Sequence, residues 1–272
     1  MADSPLRLSG ARCTSVLAAA TIFAVTPVAR AGTTVHFPFD DDRYLRADQH
    51  DGGTAYVPDS ASAEDGAVPI VVFLHGINPS GELHVWMEGD HDLRPVVDTL
   101  TAGGVEPFVL AAPSQTRDAG RGRSLWPDFD IDAFVAQTTA AVARHVDVDA
   151  RRVYVVGHSG AGCNTSGGIV AAAQASHARV RGVLAVDTCL DADSGGAFAP
   201  IPARVPVWVT WQDRTWPRDL DDFRGGLGHA ATRVRIQLLD VRGPHPHEAI
   251  VPRAFRLMAH EWLEPDSISP RT

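Results

Sequence analysis

Continuous apolar runs, not alternating ones, dominate this chain. Val68-Pro69-Ile70-Val71-Val72-Phe73-Leu74 has no polar position. Pro107 to Ala112, Val153 to Val156, Val183 to Val186, Val205 to Trp211 and Val234 to Val241 repeat the pattern, some with isolated polar positions. A strand without a polar face is covered on both sides, as in a parallel sheet with helices above and below it. Between the runs lie segments of helical character: Leu93 to Ala102, Ile131 to His145 with Phe134, Val135, Thr138 and Val142 at apolar spacing, Gly168 to Ala178, and Glu248 to Leu263. A short glycine-rich segment between the last two strands is a further candidate helix. Alternation of this kind predicts an α/β fold with a mostly parallel central sheet, helices on both faces and right-handed crossovers. Ahead of it, Thr33 to Phe39 and Gly53 to Val57 are strand-like and flank Asp40-Asp41-Asp42, which predicts an antiparallel opening to the sheet. Ser60 to Gly66 is polar and linker-like.

Composition changes this picture little. The 272 residues are 44% hydrophobic and 21% charged, as expected for one globular domain. All 24 basic residues are arginine, so a single arginine carries little weight as a signal. The net charge of -9 leaves no electrostatic footprint for nucleic acid.

The N-terminus is read separately. Arg7 and Arg12 precede an apolar stretch from about Thr14 to Ala29, and Ala29-Arg30-Ala31 is a small-x-small site followed by Gly32. Residues 1 to 31 are therefore expected to be a secretory signal peptide cleaved after Ala31, leaving 32 to 272 as one exported domain. The stretch is too short for a spanning helix and Pro27 interrupts it, so no integral membrane segment is expected after cleavage. Cys13 leaves with the leader. Cys163 and Cys189 remain, an even pair placed just past neighbouring strands, and a disulfide between them is expected.

Catalytic groups of α/β sheets sit beyond the carboxyl ends of strands. Here those positions carry His75-Gly76-Ile77, then Val153-Tyr154-Val155-Val156-Gly157-His158-Ser159-Gly160-Ala161, then Asp213 after the Val205 to Trp211 run, then His245 and His247. The second stretch is a buried strand entering a tight turn with a hydroxyl at its apex and small residues two positions to either side. It resembles the nucleophile elbow of the α/β-hydrolase superfamily, with Ala161 where the pattern has its last glycine. The order Ser, Asp, His is also that of the superfamily, and the resemblance runs from about Val68 to Glu264.

The resemblance implies the α/β-hydrolase fold and a catalytic triad of Ser159, Asp213 and His247. Asp187, one strand earlier, is the alternative acid, and His245, between two prolines, is the rival base. It also implies an oxyanion hole from the backbone N–H groups of Ile77 and Gly160. His75 and His158 are expected to pack and orient. With about 15 residues between Leu190 and Val205, no large cap domain is expected, and loops carrying Trp86, Trp126, Arg214, Trp216 and Arg218 would wall an open site. No cofactor is implied. A metal site at His245, His247, His84, His91, Asp90 and Asp92 is not expected, because no His-Glu-x-x-His spacing is present. The expected function is cleavage of a carboxylic ester through an acyl-enzyme on Ser159, acting on a small-molecule or peptide acyl substrate. An exported peptidase or amidase, or a non-catalytic binding member of the fold, is the alternative.

Overall fold

In a computed structural model of the full chain, eight strands form one sheet in the order β1-β2-β4-β3-β5-β6-β7-β8. The structure describes residues 32–39, 52–61, 66–76, 85–114, 126, 129–163, 165, 167–175, 178–215 and 218–264. The expected leader lies outside them, and Ala31–Thr272 forms one compact unit. The strands are β1 Thr33–Pro38, β2 Gly52–Val57, β3 Val68–Leu74, β4 Val109–Pro113, β5 Val148–His158, β6 Val180–Val186, β7 Val207–Trp211 and β8 Val234–Leu238. β1 pairs with β2 and β2 with β4 in antiparallel fashion, and the remaining pairings, from β4 through β3 to β8, are parallel.

The helices are α1 Leu93–Ala102, α2 Ile131–Val142, α3 Gly160–Cys163, α4 Gly168–Ala175, α5 Ala192–Phe198, α6 Leu220–Leu227 and α7 Pro246–Trp262. Successive residues of a strand point to opposite faces, and β3 shows what that does to an all-apolar run. Ile70, Val72 and Leu74 enter a core with Phe134 of α2, Ile169 of α4, Phe198 of α5 and Phe223 of α6. Val71 and Phe73 enter the opposite core with Leu93, Val97 and Leu100 of α1 and Ile250, Phe255 and Met258 of α7. Both faces are covered, as the missing polar alternation requires.

Two elements depart from the sequence expectation. β5 begins at Val148, five residues early, because Val148 pairs with Val68 although Asp149, Arg151 and Arg152 make the stretch polar. α5 is a helix of Ala-Asp-Ser-Gly-Gly-Ala-Phe, poor in helix formers and started by an Asp191 capping box with Ser194. The glycine-rich segment before β8 is helical as expected, forming α6 followed by a 3-10 turn, Gly228–Thr232. Among the described residues no helix is long and apolar enough to cross a membrane.

Candidate active site

The carboxyl ends of β5, β6 and β7 and the segment after β8 deliver the candidate groups to one end of the sheet. β5 runs directly into Ser159, which has φ 54° and is 8% exposed. A non-glycine residue at positive φ is strained, and such strain persists only where the surroundings hold it. Here the Ser159 N–H donates to Val186 O on β6 (3.0 Å), and its carbonyl accepts from Gly162 and Cys163 N–H as α3 begins. The turn closes only with small neighbours. A Cβ on Gly157 would lie 2.2 Å from Ile169 Cγ2, and one on Gly76 would lie 2.6 Å from Ser159 Cβ. Ala161 is fully buried, and its methyl sits where the turn tolerates it. Gly160 opens α3, so its N–H has no intrahelical acceptor. Ile77 lies outside the described residues.

The carboxylate that meets His247 is Asp187, not Asp213. Asp187 stands immediately past β6 with φ 47° and is completely buried. Its Oδ2 accepts from His247 Nδ1–H (2.5 Å) and from the Thr215 hydroxyl (2.6 Å). Its Oδ1 accepts from Arg218 Nη2 (2.7 Å) and the Gln212 N–H (3.3 Å). Burial alone pushes the Asp187 carboxyl up, but the bonds from His247 and Thr215 and the charges of His247 and Arg218 outweigh it, and its net shift is downward. Asp213 lies in the exposed turn after β7. The segment that carries it supplies Thr215 and Arg218, which donate to the acid.

His247 sits in the first turn of α7, held by Pro246 at its start. Because a carboxylate only accepts, Nδ1 carries the proton and Nε2 is the basic nitrogen. His158 fixes the other side of this histidine: its Nε2–H donates to the His247 carbonyl (3.0 Å), and the two rings lie 4.4 Å apart between centroids. Burial, then the neighbouring His247, lowers the His158 pKa to about 3 despite that bond. His75 is buried likewise, donates from Nδ1 to Gly76 O (2.7 Å) and is lowered to about 4, by burial first. Both rings are neutral near pH 7. His245 is exposed at the N-cap of α7.

Cys163 and Cys189 are joined in a disulfide. The bridge ties the end of α3, four residues past Ser159, to the turn two residues past Asp187. A Cβ on Gly162 would lie 2.1 Å from Thr188 Cγ2, so the two turns also touch directly.

The expected walls are partly core. Trp126 is fully buried, with its indole N–H on His75 O (3.1 Å) and its ring edge-on to His75. Trp86 packs against Tyr56 with the Arg94 guanidinium over its face. Arg218 is 7% exposed and directs its charge to Asp187. Trp216 and His84 lie outside the described residues.

No protein-family model matches the chain, and no curated protein does. Solved structures do. A thermostable esterase matches with TM-score 0.53 and 17% identity over 86% of this chain and 62% of its own, so this chain spans less than two thirds of that esterase. An S-formylglutathione hydrolase from Agrobacterium tumefaciens matches at TM-score 0.53 and 14% identity, over 85% of this chain and 95% of its own. A feruloyl esterase module from Clostridium thermocellum matches at TM-score 0.51 and 11% identity, over 82% and 87%. At such identities the likeness is one of architecture, and it agrees with the strand order and the turns described above: the chain has the α/β-hydrolase fold.

Proposed function

We propose that this chain is an exported serine hydrolase that cleaves carboxylic esters through an acyl-enzyme on Ser159. The observation that carries the reading is the hydrogen bond from His247 Nδ1 to the buried Asp187 (2.5 Å), one strand from a serine held at φ 54°. In this reading His247 Nε2 takes the Ser159 hydroxyl proton as Oγ attacks the acyl carbon, and Asp187 orients the ring and stabilises the imidazolium. The N–H groups of Gly160 and Ile77 stabilise the tetrahedral oxyanion. The proton then passes to the leaving alkoxide, and water repeats the sequence to release the acid.

A fluorophosphonate probe tests this directly. Wild type is expected to be labelled at Ser159 and to turn over chromogenic esters, while Ser159→Ala does neither. Folded wild type that stays unlabelled would leave a binding-only protein. The same panel with peptide and amide substrates decides between an esterase and a peptidase or amidase, which share this machinery.

A further inference from the structure

Gly32, at the start of β1, occupies an unusual setting for a backbone nitrogen. Its N–H donates to the Tyr56 hydroxyl (2.8 Å), and that hydroxyl donates to Asp98 Oδ2 on α1 (2.6 Å). Tyr56 is 3% exposed. Asp98 is raised above the ordinary carboxylate range, by burial first and also by the charge of Asp59, against the lowering effect of the Tyr56 bond. The Tyr56 phenol is raised too, by burial and then by its bond to Asp98. The nearby cation is already engaged: Arg94 forks onto Asp92 through Nε and Nη2, with Nη2 to Oδ2 at 2.6 Å. Among the described residues no cation pairs with Asp98. A positive charge placed beside this carboxylate would offset both its burial and the charge of Asp59.

The backbone at residue 32 also leaves no room for a side chain. A Cβ there would lie 2.3 Å from Val57 O, 2.7 Å from Pro58 Cα and 2.8 Å from Tyr56 Cζ. Residue 32 must therefore be glycine for its nitrogen to reach Tyr56, and it is the residue that follows the small-x-small site.

We propose that the Tyr56–Asp98 pair is a seat for the α-ammonium of Gly32, created by cleavage after Ala31. A leader peptidase with small-x-small specificity adds water across the Ala31–Gly32 peptide bond. Ala31 leaves as a carboxylate, and Gly32 keeps the nitrogen and takes up the proton as –NH3+. One amide donor becomes three ammonium donors with a full charge, beside Tyr56, Asp98 and, further out, Asp59. The inference rests on the export reading and adds to it a structural use for the cut end.

The chain contains no lysine, so after processing the α-amine is its only amine, and with Ser159→Ala in every sample, so that no acyl-enzyme forms, an acetylating ester reports on that amine. The full chain, expressed with its own leader in an exporting bacterial host, is expected to yield a protein beginning at Gly32 by intact mass and N-terminal sequencing. Its amine is expected to react on the order of tenfold more slowly in the folded protein than in urea. Acetylation is expected to lower Tm by about 2–4 °C for a domain of this size, and this drop is expected to shrink in both Tyr56→Phe and Asp98→Asn. The carboxylate partner raises the folded amine above its unfolded value of about 7.7–8.0. The gain is therefore full below that value and lost as pH rises through the folded one. A chain left uncleaved at neutral pH sinks the export reading itself. A processed chain starting at another residue, or one starting at Gly32 whose amine is unprotected and whose Tm ignores acetylation, overturns the seat alone.

Discussion

Asp187 receives four hydrogen bonds on two oxygens, three of them from the segment after β7, at a backbone angle that costs about 1–3 kcal/mol in a non-glycine residue. Such over-determination locks the carboxylate's position, but Arg218 also takes a share of its charge. Asp187→Asn is expected to lower kcat by about 10³–10⁴-fold, measured beside Asp213→Asn, an exposed change expected to leave kcat and stability nearly intact. Equal losses in the two would refute the role given to Asp187. Arg218→Gln removes a cation from the acid, which favours a protonated base. The acid limb of kcat/KM should then move to higher pH, and an unmoved limb would reduce Arg218 to packing. Both carboxylates directly follow strands, so local sequence does not separate them. The discriminating signal is the convergence of Thr215 and Arg218, about thirty residues away, which no periodicity encodes. Ser159 and His247 were legible because a strained turn and a helix start leave local marks.

Elements supply the next level of order. The adjacency of β5 and β6 sets the Ser159 and Asp187 turns side by side, and the Cys163–Cys189 bridge fastens them at a sequence separation of 26. In the chain-entropy account a loop of that length contributes roughly 3–4 kcal/mol. Replacing both cysteines by serine should lower the urea-derived stability by about that amount, with a larger proportional loss of activity than of fold. A stability change below about 1 kcal/mol would mean the turns are held by packing alone. Gly76→Ala drives a methyl into Ser159 and is expected to reduce fluorophosphonate labelling. The sheet itself was readable because doubly covered strands cannot hide: each of the six apolar runs from Val68 onward became a strand. β5's polar beginning and the glycine-containing α5 were not readable, since pairing with Val68 and burial of Phe198 decide them at long range.

At the scale of the whole molecule, proton uptake ties stability to pH. His75 and His158 are lowered to about 4 and about 3, by burial first in each, and Asp187 is lowered as well. Groups depressed in the folded state bind protons more readily when unfolded. Stability is thus whole above pH of about 6.5 and falls as pH drops through the folded values. Urea melts at descending pH should show this, with a slope of up to about 1.4 kcal/mol per pH unit for each histidine. His158→Gln should remove one share, and a flat profile down to pH of about 4.5 would contradict the burial of both rings. The bridge also records where a molecule has been. With Cys163 and Cys189 joined, Cys13 is the one remaining thiol of the three cysteines in the sequence. Under denaturing, non-reducing conditions a reagent for sulfhydryls should find none in a chain both trimmed and oxidised, and one where the leader persists. It should find two where the chain was trimmed but never oxidised, and three where neither step occurred. In a stock shown by intact mass to be homogeneous, a single titration thus distinguishes these four maturation states.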